Sequence, residues 1–374
     1  MECQYFGKCG GCTLGGKNYE EQLSYKIEKE KERFIQFDLK DVDIVKSYDG
    51  AFRNRAEFRL FKMYDANNDF TLHYAMMDIN KEILCIESCS IVTNTIKELM
   101  PKLLDELVQN EITHHKVYGI EFLTSLKNDM LVTLIYHKSL DEDWMRWARG
   151  IEQKYNITII GRSKKQKVVL SKDYIEEELI ILDEKYRFQY KEGGFTQPNQ
   201  KVNEKMIEWV VQYTEHYDDL CELYCGGGNF TIPLSKQFNK VLATEVSKTS
   251  ISSAKKNCEL NGIDNITFIR LAAQEFVEAK NGVRGFRRLK QENVDLNDYN
   301  FSTIFVDPPR AGLDDTTRAL VSEFEQIVYI SCNPETLQRD LKSIFETHSI
   351  KKFAFFDQFA YTHHIESGVI LQKK

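Results

Sequence analysis

The chain has 374 residues, of which 42% are hydrophobic and 29% are charged, as in soluble globular proteins large enough for two hydrophobic cores. Its 50 basic and 57 acidic side chains give a formal net charge of −7, which excludes a broadly basic nucleic-acid-binding protein. The sequence has neither an apolar run long enough to span a membrane nor a secretory signal, so we expect a cytoplasmic protein.

Residues 1–18 form a cysteine- and glycine-rich segment unlike the rest of the chain. An odd total of nine cysteines in a protein expected in the cytoplasm indicates metal binding or catalysis before disulfide bonds. Cys3, Cys9 and Cys12 lie close together among glycines, and thiolates spaced in this way can surround a compact metal cluster. A zinc site and free thiols are the alternatives.

Residues 19–185 are predicted to form a helix followed by an α+β domain. Residues 19–37 carry Leu23, Ile27 and Phe34 on roughly one face, as an amphipathic helix does. Strand-like alternation then mixes with helical periodicity, which predicts an antiparallel sheet. The strands singled out are residues 57–64, 119–124, 131–137 and 157–162, and the helices are residues 94–109 and 141–154.

Residues 186–374 have a different predicted secondary-structure pattern, because helical and strand-like segments alternate from about residue 202. This alternation predicts a doubly wound, mostly parallel α/β sheet. The predicted strands are residues 220–224, 240–245, 266–271, 302–307 and 326–331. Residues 350–359 and 368–372 are close enough in sequence to end the sheet with an antiparallel hairpin.

A glycine-rich loop, residues 224–230, joins the first of these strands to the next helix. Gly226 and Gly228 allow a tight turn and a close approach to a ligand. Glu245 ends the next strand, where a carboxylate binds a ribose diol in nucleotide-binding α/β folds. Pro233 and Leu234 stand where a dinucleotide fingerprint has its third glycine, so a single-nucleotide cofactor such as S-adenosylmethionine fits better. A glycine turn beside a surface glutamate is the alternative.

Reactive side chains follow the last two parallel strands. One strand runs into Asp307-Pro308-Pro309-Arg310, the other into Cys332-Asn333-Pro334, and Glu366 lies in the final strand-like stretch. Open α/β sheets hold their ligands at the carboxyl ends of such strands. A thiol at that edge is a candidate covalent nucleophile, although a buried cysteine is more often a small core residue.

Together these motifs resemble those of the RNA uracil-C5 methyltransferases. The resemblance rests on residues 195–199, 222–226, 306–310, 331–334 and 357–369. Residues 122–126, 136–138, 242–245 and 361–364 resemble the tRNA-acting members of that family. The resemblance extends from about residue 19 to residue 374. It implies a class I, Rossmann-like methyltransferase domain over residues 186–374, preceded by an α+β RNA-binding domain over residues 19–185.

The resemblance also implies the chemistry. Cys332 is expected to add to C6 of a uracil base, and Glu366 to remove the proton from C5 after methylation. S-adenosylmethionine is the implied methyl donor, and the positions that match the family's cofactor-binding residues are Gln197, Tyr224, Asn229, Glu245 and Asp307. The implied partner is the T arm of tRNA, with the T-loop uridine at position 54 as the target, and we expect a monomer.

The N-terminal cysteines resemble the iron–sulfur motif of the rRNA-acting members. This implies a 4Fe–4S cluster on Cys3, Cys9, Cys12 and Cys89, with Cys85 as the fallback for the fourth ligand. The familiar tRNA-acting members lack these cysteines, so the nearest alternative is the same reaction on a uridine of 23S rRNA. An alternative of another class is a non-catalytic RNA-binding or RNA-folding protein with a redox cluster, which would need neither Cys332 nor Glu366.

Three basic groups interrupt the acidic average, two of them beside aromatic residues, as is common where single-stranded RNA or a flipped base is bound. They are Arg53, Arg55 and Arg59; Arg162, Lys164, Lys165 and Lys167; and Arg284, Arg287, Arg288 and Lys290.

Overall fold

Two large β-sheets dominate the computed structural model, which describes residues 1–215 and 218–374. The helices in these ranges are α1 (Tyr19–Arg33), α2 (Asn94–Val108), α3 (Glu111–His114), α4 (Glu142–Tyr155), α5 (Gln200–Tyr213), α6 (Thr231–Leu234), α7 (Lys248–Leu260), α8 (Ala273–Lys280), α9 (Arg287–Gln291), α10 (Asp315–Val321) and α11 (Pro334–Ile344). The strands are β1 (Val42–Val45), β2 (Arg55–Tyr64), β3 (Phe70–Met77), β4 (Ile83–Ile86), β5 (Val117–Thr124), β6 (Met130–Tyr136), β7 (Thr158–Ser163), β8 (Gln166–Val169), β9 (Tyr174–Ile181), β10 (Glu184–Lys191), β11 (Asp219–Leu223), β12 (Lys240–Thr244), β13 (Ile266–Ile269), β14 (Phe301–Val306), β15 (Gln326–Ser331), β16 (His348–Phe356) and β17 (Glu366–Lys373).

The larger sheet has eight strands in the order β1-β16-β17-β15-β14-β11-β12-β13. Every neighbouring pair is parallel except those that involve β17, which runs antiparallel to both β15 and β16. Every residue of β11 and β15 is buried, as expected for parallel strands covered on both faces. The predicted doubly wound methyltransferase-type sheet with an antiparallel ending is confirmed.

Helices cover both faces of this sheet. One apolar cluster joins it to α1, α8, α10 and α11 through residues such as Leu23, Phe276 and Leu341. A second cluster on the other side joins it to α5 and α6 through Met206 and Ile232. The sheet is therefore a rigid central layer, and the loops at its edge are free to hold a ligand.

The smaller sheet has seven strands in the order β4-β3-β2-β5-β6-β7-β8. The antiparallel pairing that the sequence predicts is confirmed for all neighbours but one, since β6 and β7 are parallel. Helices α2 and α4 pack on one face through Leu103 and Trp144. Along β2, Phe58 and Leu60 are buried whereas Glu57 and Arg59 are exposed, so the opposite face is open to solvent.

The first helix packs on the larger sheet although it precedes the smaller one in the chain. Its start is fixed by a capping box between Asn18 and Glu21, and it ends at Arg33, with a short 3-10 turn over Ile35–Phe37. Strand β1 likewise joins the larger sheet, beside β16. The predicted domain boundaries at residues 18 and 185 stay a prediction.

None of the helices within residues 1–215 and 218–374 is long and apolar enough to cross a lipid bilayer. The expected cytoplasmic location and monomeric state stay predictions.

Candidate active site

Five of the predicted site residues lie along one edge of the eight-stranded sheet. Strands β12, β11, β14 and β15 are parallel neighbours in that order, so their carboxyl ends share this edge. Strand β17 is antiparallel to β15 and therefore begins there. In spatial order the residues at these strand ends are Glu245, Tyr224, Asp307, Cys332 and Glu366.

Burial and like charge control the ionisation of the three reactive groups. Burial raises the pKa of Glu366 to about 8, and the charge of Asp307 adds to the effect. Burial also raises the pKa of Asp307 to about 7. The pKa of the Cys332 thiol is raised to about 11, first by burial and then by the charges of Glu366 and Asp307. Without a ligand, the thiol is therefore protonated at neutral pH.

Arg310 opposes these shifts, because its positive charge lowers the pKa of both Cys332 and Glu366. The turn that follows Cys332 holds the backbone of Arg310: its carbonyl oxygen accepts hydrogen bonds from Asn333 Nδ2 at 3.0 Å and Thr336 Oγ1 at 3.3 Å. One guanidinium nitrogen lies 3.5 Å from Nε2 of His364. The sequence alone could not place Arg310, whereas the structure puts it beside Cys332.

A cavity of about 240 Å³ opens at Cys332. Its walls come from the loop after β14, from the start of α11, and from the β16–β17 connection, which contributes His363 and His364. Helix α1 adds Lys29 and Arg33. These two α1 residues were not identified as site residues from the sequence, because their helix is far from Cys332 in the chain.

The glycine-rich loop adopts the tight turn that the sequence predicts. Tyr224, Gly226 and Gly228 all have positive φ angles, of 64°, 54° and 84°. The turn brings the amide of Gly226 to 3.2 Å from Oε2 of Glu245, while the amide of Ser247 donates to Oε1 at 2.8 Å. Two backbone amides therefore fix the orientation of the Glu245 carboxylate at the end of β12.

Gln197 and Asn229 lie on the α5 side of this loop. The Gln197 side chain is buried, and its Oε1 accepts a hydrogen bond from Gln358 Nε2 at 3.1 Å. Asn229 exchanges two amide hydrogen bonds, of 2.9 and 3.0 Å, with Asn203 on α5. The structure thus ties both residues to elements next to the strand ends.

The four cysteines predicted to bind a metal cluster interact electrostatically. The pKa of Cys12 is raised to about 12, first by burial and then by the charges of Cys89, Cys9 and Cys3. Cys85 shows no such coupling. Nevertheless, no group of three or more His, Cys, Asp or Glu side chains within the described residues is arranged to hold a metal ion. Electrostatic coupling to the other cysteines therefore favours Cys89 over Cys85 as the fourth member of the group. The metal cluster itself stays a prediction.

The first two basic groups meet on the open face of the seven-stranded sheet. Arg59 lies over the ring of Tyr118 with 5.7 Å between guanidinium and ring centroid. A cavity of about 430 Å³ is lined by Tyr118, His137, Arg162 and Lys164, among others. Arg53 is different, because it is largely enclosed and lies beside Cys12 and Cys89. This face, but not Arg53, presents stacked aromatic and cationic groups to solvent.

A model of the family described as tRNA (Uracil-5-)-methyltransferase matches residues 18–374. The chain belongs to the tRNA (uracil-5-)-methyltransferase family. Membership of this enzyme family argues against a non-catalytic RNA-binding protein. The family match begins after Cys3, Cys9 and Cys12, so those cysteines lie outside it.

Two relatives that match over their whole length are named for uracil-C5 methylation of tRNA and tmRNA. The chain is 60% identical over 374 residues to the tRNA/tmRNA (uracil-C(5))-methyltransferase of Aliarcobacter butzleri, covering 100% of this chain and 99% of that protein. It is 48% identical over 374 residues to the protein of that name from a Nitratiruptor species, covering 100% of both.

A solved structure shares the fold. The tRNA (uracil-54, C5)-methyltransferase of Pyrococcus abyssi, in complex with S-adenosyl-L-homocysteine, superposes with a TM-score of 0.74 at 22% sequence identity. The superposition covers 97% of this chain and 86% of that chain. This likeness extends across both large sheets and supports the fold assignment.

Proposed function

We propose that this protein methylates C5 of the T-loop uridine at position 54 of tRNA, using S-adenosylmethionine and a covalent bond between Cys332 and C6 of the base. The observation that carries the proposal is the row of strand ends: a thiol stands between the carboxylates of Asp307 and Glu366, on the edge that also holds the glycine-rich loop and Glu245. A non-catalytic protein would not need a thiol and a base placed side by side.

The residues at the glycine-rich loop fit an adenosyl cofactor. The Glu245 carboxylate is oriented by two backbone amides and is only partly buried, so it has lone pairs left for ribose hydroxyls. Asp307 supplies negative charge for a cationic ligand, and Gln197, Tyr224 and Asn229 flank the same edge. Bound there, S-adenosylmethionine supplies the electrophilic methyl group that becomes attached to C5.

Cys332 serves as the nucleophile in this proposal. C5 of uracil is a poor nucleophile until another group adds to C6. When the thiolate forms a bond to C6, the displaced electron pair is delocalised over C5 and the O4 carbonyl, which makes C5 reactive. The thiol must first lose its proton, and its raised pKa disfavours this step. Arg310 favours the thiolate, because its positive charge lies close enough to lower that pKa.

Glu366 completes the reaction as the base. After C5 has gained the methyl group, the carboxylate accepts the proton from C5, the double bond between C5 and C6 re-forms, and the C6–sulfur bond breaks to release the Cys332 thiolate. Glu366 must be ionised for this step. Its buried position and its neighbour Asp307 hold its pKa near 8, so only a minority is ionised at neutral pH before ligands bind.

The target base has to leave its stack in the RNA to reach Cys332, as in other enzymes that react with a nucleobase. The walls of the cavity at Cys332 include Lys29 and Arg310, whose charges suit the phosphates next to a flipped nucleotide. Glu335 also lines the cavity, as does Arg33, which is paired with Glu30 at 2.6 Å. The open sheet face with Arg59 and Tyr118 offers a second contact for single-stranded loop bases.

We also propose that Cys3, Cys9, Cys12 and Cys89 together hold a 4Fe–4S cluster. The proximity of the thiols supports this, since the pKa values of Cys9, Cys12 and Cys89 are each raised by the charge of at least one other cysteine of the set. The largely enclosed Arg53 also supports it, because its positive charge lies close to Cys12 and Cys89. Anaerobically purified protein should contain iron and acid-labile sulfide. Cys89→Ser should lose both, whereas Cys85→Ser is the matched control and should keep them.

The test of the main proposal is to incubate the protein with labelled S-adenosylmethionine and either a tRNA transcript or fragments of 23S rRNA, and then to map the modified base. 5-Methyluridine confined to the T loop supports the proposal. Methylation of rRNA alone would favour the alternative substrate. Tight RNA binding with no methylation of either RNA would overturn the proposed reaction.

A further inference from the structure

The nine residues 357–365, here called the active-site loop, connect β16 to β17. The loop ends immediately before Glu366, the first residue of β17. Within the loop, His363 and His364 line the cavity that contains Cys332. The conformation of this loop therefore affects both the start of β17 and the wall of the cavity.

Helix α1 anchors the beginning of the active-site loop. Lys26 forms a fully buried ion pair with Asp357, and its Nζ also donates to the carbonyl oxygens of Phe359 at 3.3 Å and His364 at 3.2 Å. Gln22 Nε2 donates to the other oxygen of Asp357 at 3.1 Å. A cation at this position holds both ends of the loop, because Phe359 and His364 are five residues apart.

Tyr361 anchors the middle of the loop to a different part of the chain. Its carbonyl oxygen accepts a hydrogen bond from the amide of Leu14 at 3.0 Å, and its ring makes an edge-to-face contact with Phe6 at 5.2 Å. Its hydroxyl donates to the carboxylate of Asp49, which lies between β1 and β2. Its amide donates to Gln22 Oε1 at 3.1 Å.

The backbone of Tyr361 is in the left-handed region, with φ of 63°. A bulky residue adopts this conformation only where its surroundings hold it there, and such positions concentrate at functional sites. Tyr361 is also 1% exposed, so the contacts surround it on all sides. The turn that it makes directs the following residues, His363 and His364, toward the cavity.

We propose that Tyr361 is a positioning residue for C5-proton removal: by fastening the active-site loop to the N-terminal segment (residues 1–16) and to Asp49, it holds Glu366 at the distance that proton transfer requires. This inference rests on the proposed function, because it assumes that Glu366 is the base. It gives the cysteine-bearing segment a mechanical link to the reaction, since Phe6 and Leu14 flank Cys9 and Cys12 in sequence and touch Tyr361 directly.

The Tyr361 hydroxyl can be removed without removing the ring. Tyr361→Phe keeps the contact with Phe6 and the two backbone hydrogen bonds. It loses the two contacts of the hydroxyl, which are the link to Asp49 and a hydrogen bond accepted from the N-terminal ammonium of Met1 at 3.5 Å. Asp49→Asn weakens the same link from the other side, and it also weakens the ion pair between Asp49 and the N-terminal ammonium of Met1. Tyr5→Phe is the matched control, because Tyr5 lies in the same N-terminal segment as Phe6 and Leu14. The Tyr5 hydroxyl accepts a hydrogen bond from the amide of Glu87, and it does not touch the active-site loop.

The experiment compares these variants of the full-length protein in single-turnover methylation of tRNA, with the target uridine carrying either hydrogen or deuterium at C5. For Tyr361→Phe and Asp49→Asn we expect a rate about tenfold lower than that of the wild type, since small displacements of reacting groups are costly. We also expect a larger deuterium effect than in the wild type, accumulation of methylated covalent adduct, and unchanged tRNA affinity. Tyr5→Phe should behave as the wild type does.

A purely structural role would lower the fraction of active protein and leave the deuterium effect unchanged, which would overturn the inference. So would a full wild-type rate in Tyr361→Phe. Failure of the proposed function looks different: the wild type would then form neither 5-methyluridine nor an adduct. If the wild type and Glu366→Gln behave as proposed while Tyr361→Phe matches Tyr5→Phe, only the positioning role is refuted.

Discussion

Glu366 lies next to Cys332 across the antiparallel pair β15–β17, and its negative charge raises the pKa of the Cys332 thiol. The two groups therefore titrate as a coupled pair, and ionisation of one disfavours ionisation of the other. In the proposed reaction they act in turn. The thiolate is needed when Glu366 can be neutral, and the Glu366 carboxylate is needed after the thiol charge has been consumed by the bond to C6.

This order of events predicts opposite behaviour for two variants. Glu366→Gln keeps the nucleophile and removes the base, so methylated RNA should remain covalently attached and turnover should fall by about a hundredfold or more. Cys332→Ala should abolish methylation, form no adduct, and leave RNA affinity unchanged. Denaturing gel electrophoresis of enzyme and labelled tRNA measures the adduct. The absence of any adduct with Glu366→Gln would contradict the role given to Glu366.

The raised pKa of Glu366 predicts a pH dependence. In the proposed reaction ionised Glu366 is the active form of the base, and its fraction grows as pH rises toward the pKa of about 8. The decay of the methylated adduct should therefore accelerate by about tenfold per pH unit below that value and level off above it. Rapid-quench measurement of adduct decay between about pH 6 and pH 9 tests this. A decay rate that does not vary with pH would show that Glu366 is already ionised.

The strand ends could be predicted from the sequence because each is marked locally. The apolar run of β15 stops at Ser331, directly before Cys332 and a helix-starting Asn-Pro pair. The apolar run of β14 stops before Asp307 and two prolines, and prolines cannot continue a central strand. Since parallel strands share one edge for their carboxyl ends, locating the strands was sufficient to bring the site residues together.

The contribution of α1 could not be predicted in the same way. Its apolar stripe predicts that it packs on a hydrophobic surface, but gives no sign that its polar residues contact a loop more than three hundred residues later in the chain. A signal was present in the polar residues of the buried face: Gln22, Lys26 and Glu30 are 0%, 2% and 5% exposed at four-residue spacing. Buried charge needs a partner, and only the structure shows that Asp357 supplies it to Lys26.

Glu245 is expected to contribute to cofactor affinity and not to RNA affinity. Glu245→Gln replaces a charged acceptor with a neutral amide, so the dissociation constant for S-adenosylmethionine should rise by about tenfold to a hundredfold. Equilibrium dialysis with labelled cofactor measures it, and tRNA binding serves as the internal check. Glu259→Gln is the matched control, because Glu259 is exposed at the end of α7 and forms a salt bridge with Lys256 on the same helix. Equal effects of the two substitutions would exclude a direct role for Glu245.

Lys29 is expected to contact an RNA phosphate at the mouth of the Cys332 cavity. It lines that cavity, whereas Lys31, two residues later on the same helix, does not. Residues two apart on a helix point to different faces, so Lys31→Gln changes the net charge of α1 equally without touching the cavity.

If Lys29 neutralises a phosphate, Lys29→Gln should reduce the slope of log affinity against log salt concentration by about 0.7, since one fewer counterion is released on binding. Lys31→Gln should leave the slope close to that of the wild type, and the methylation rate at saturating tRNA should stay unchanged in both variants. Filter binding of tRNA over a series of salt concentrations gives the slopes. Identical slopes for the two variants would mean that the RNA backbone approaches Cys332 from another side, away from α1.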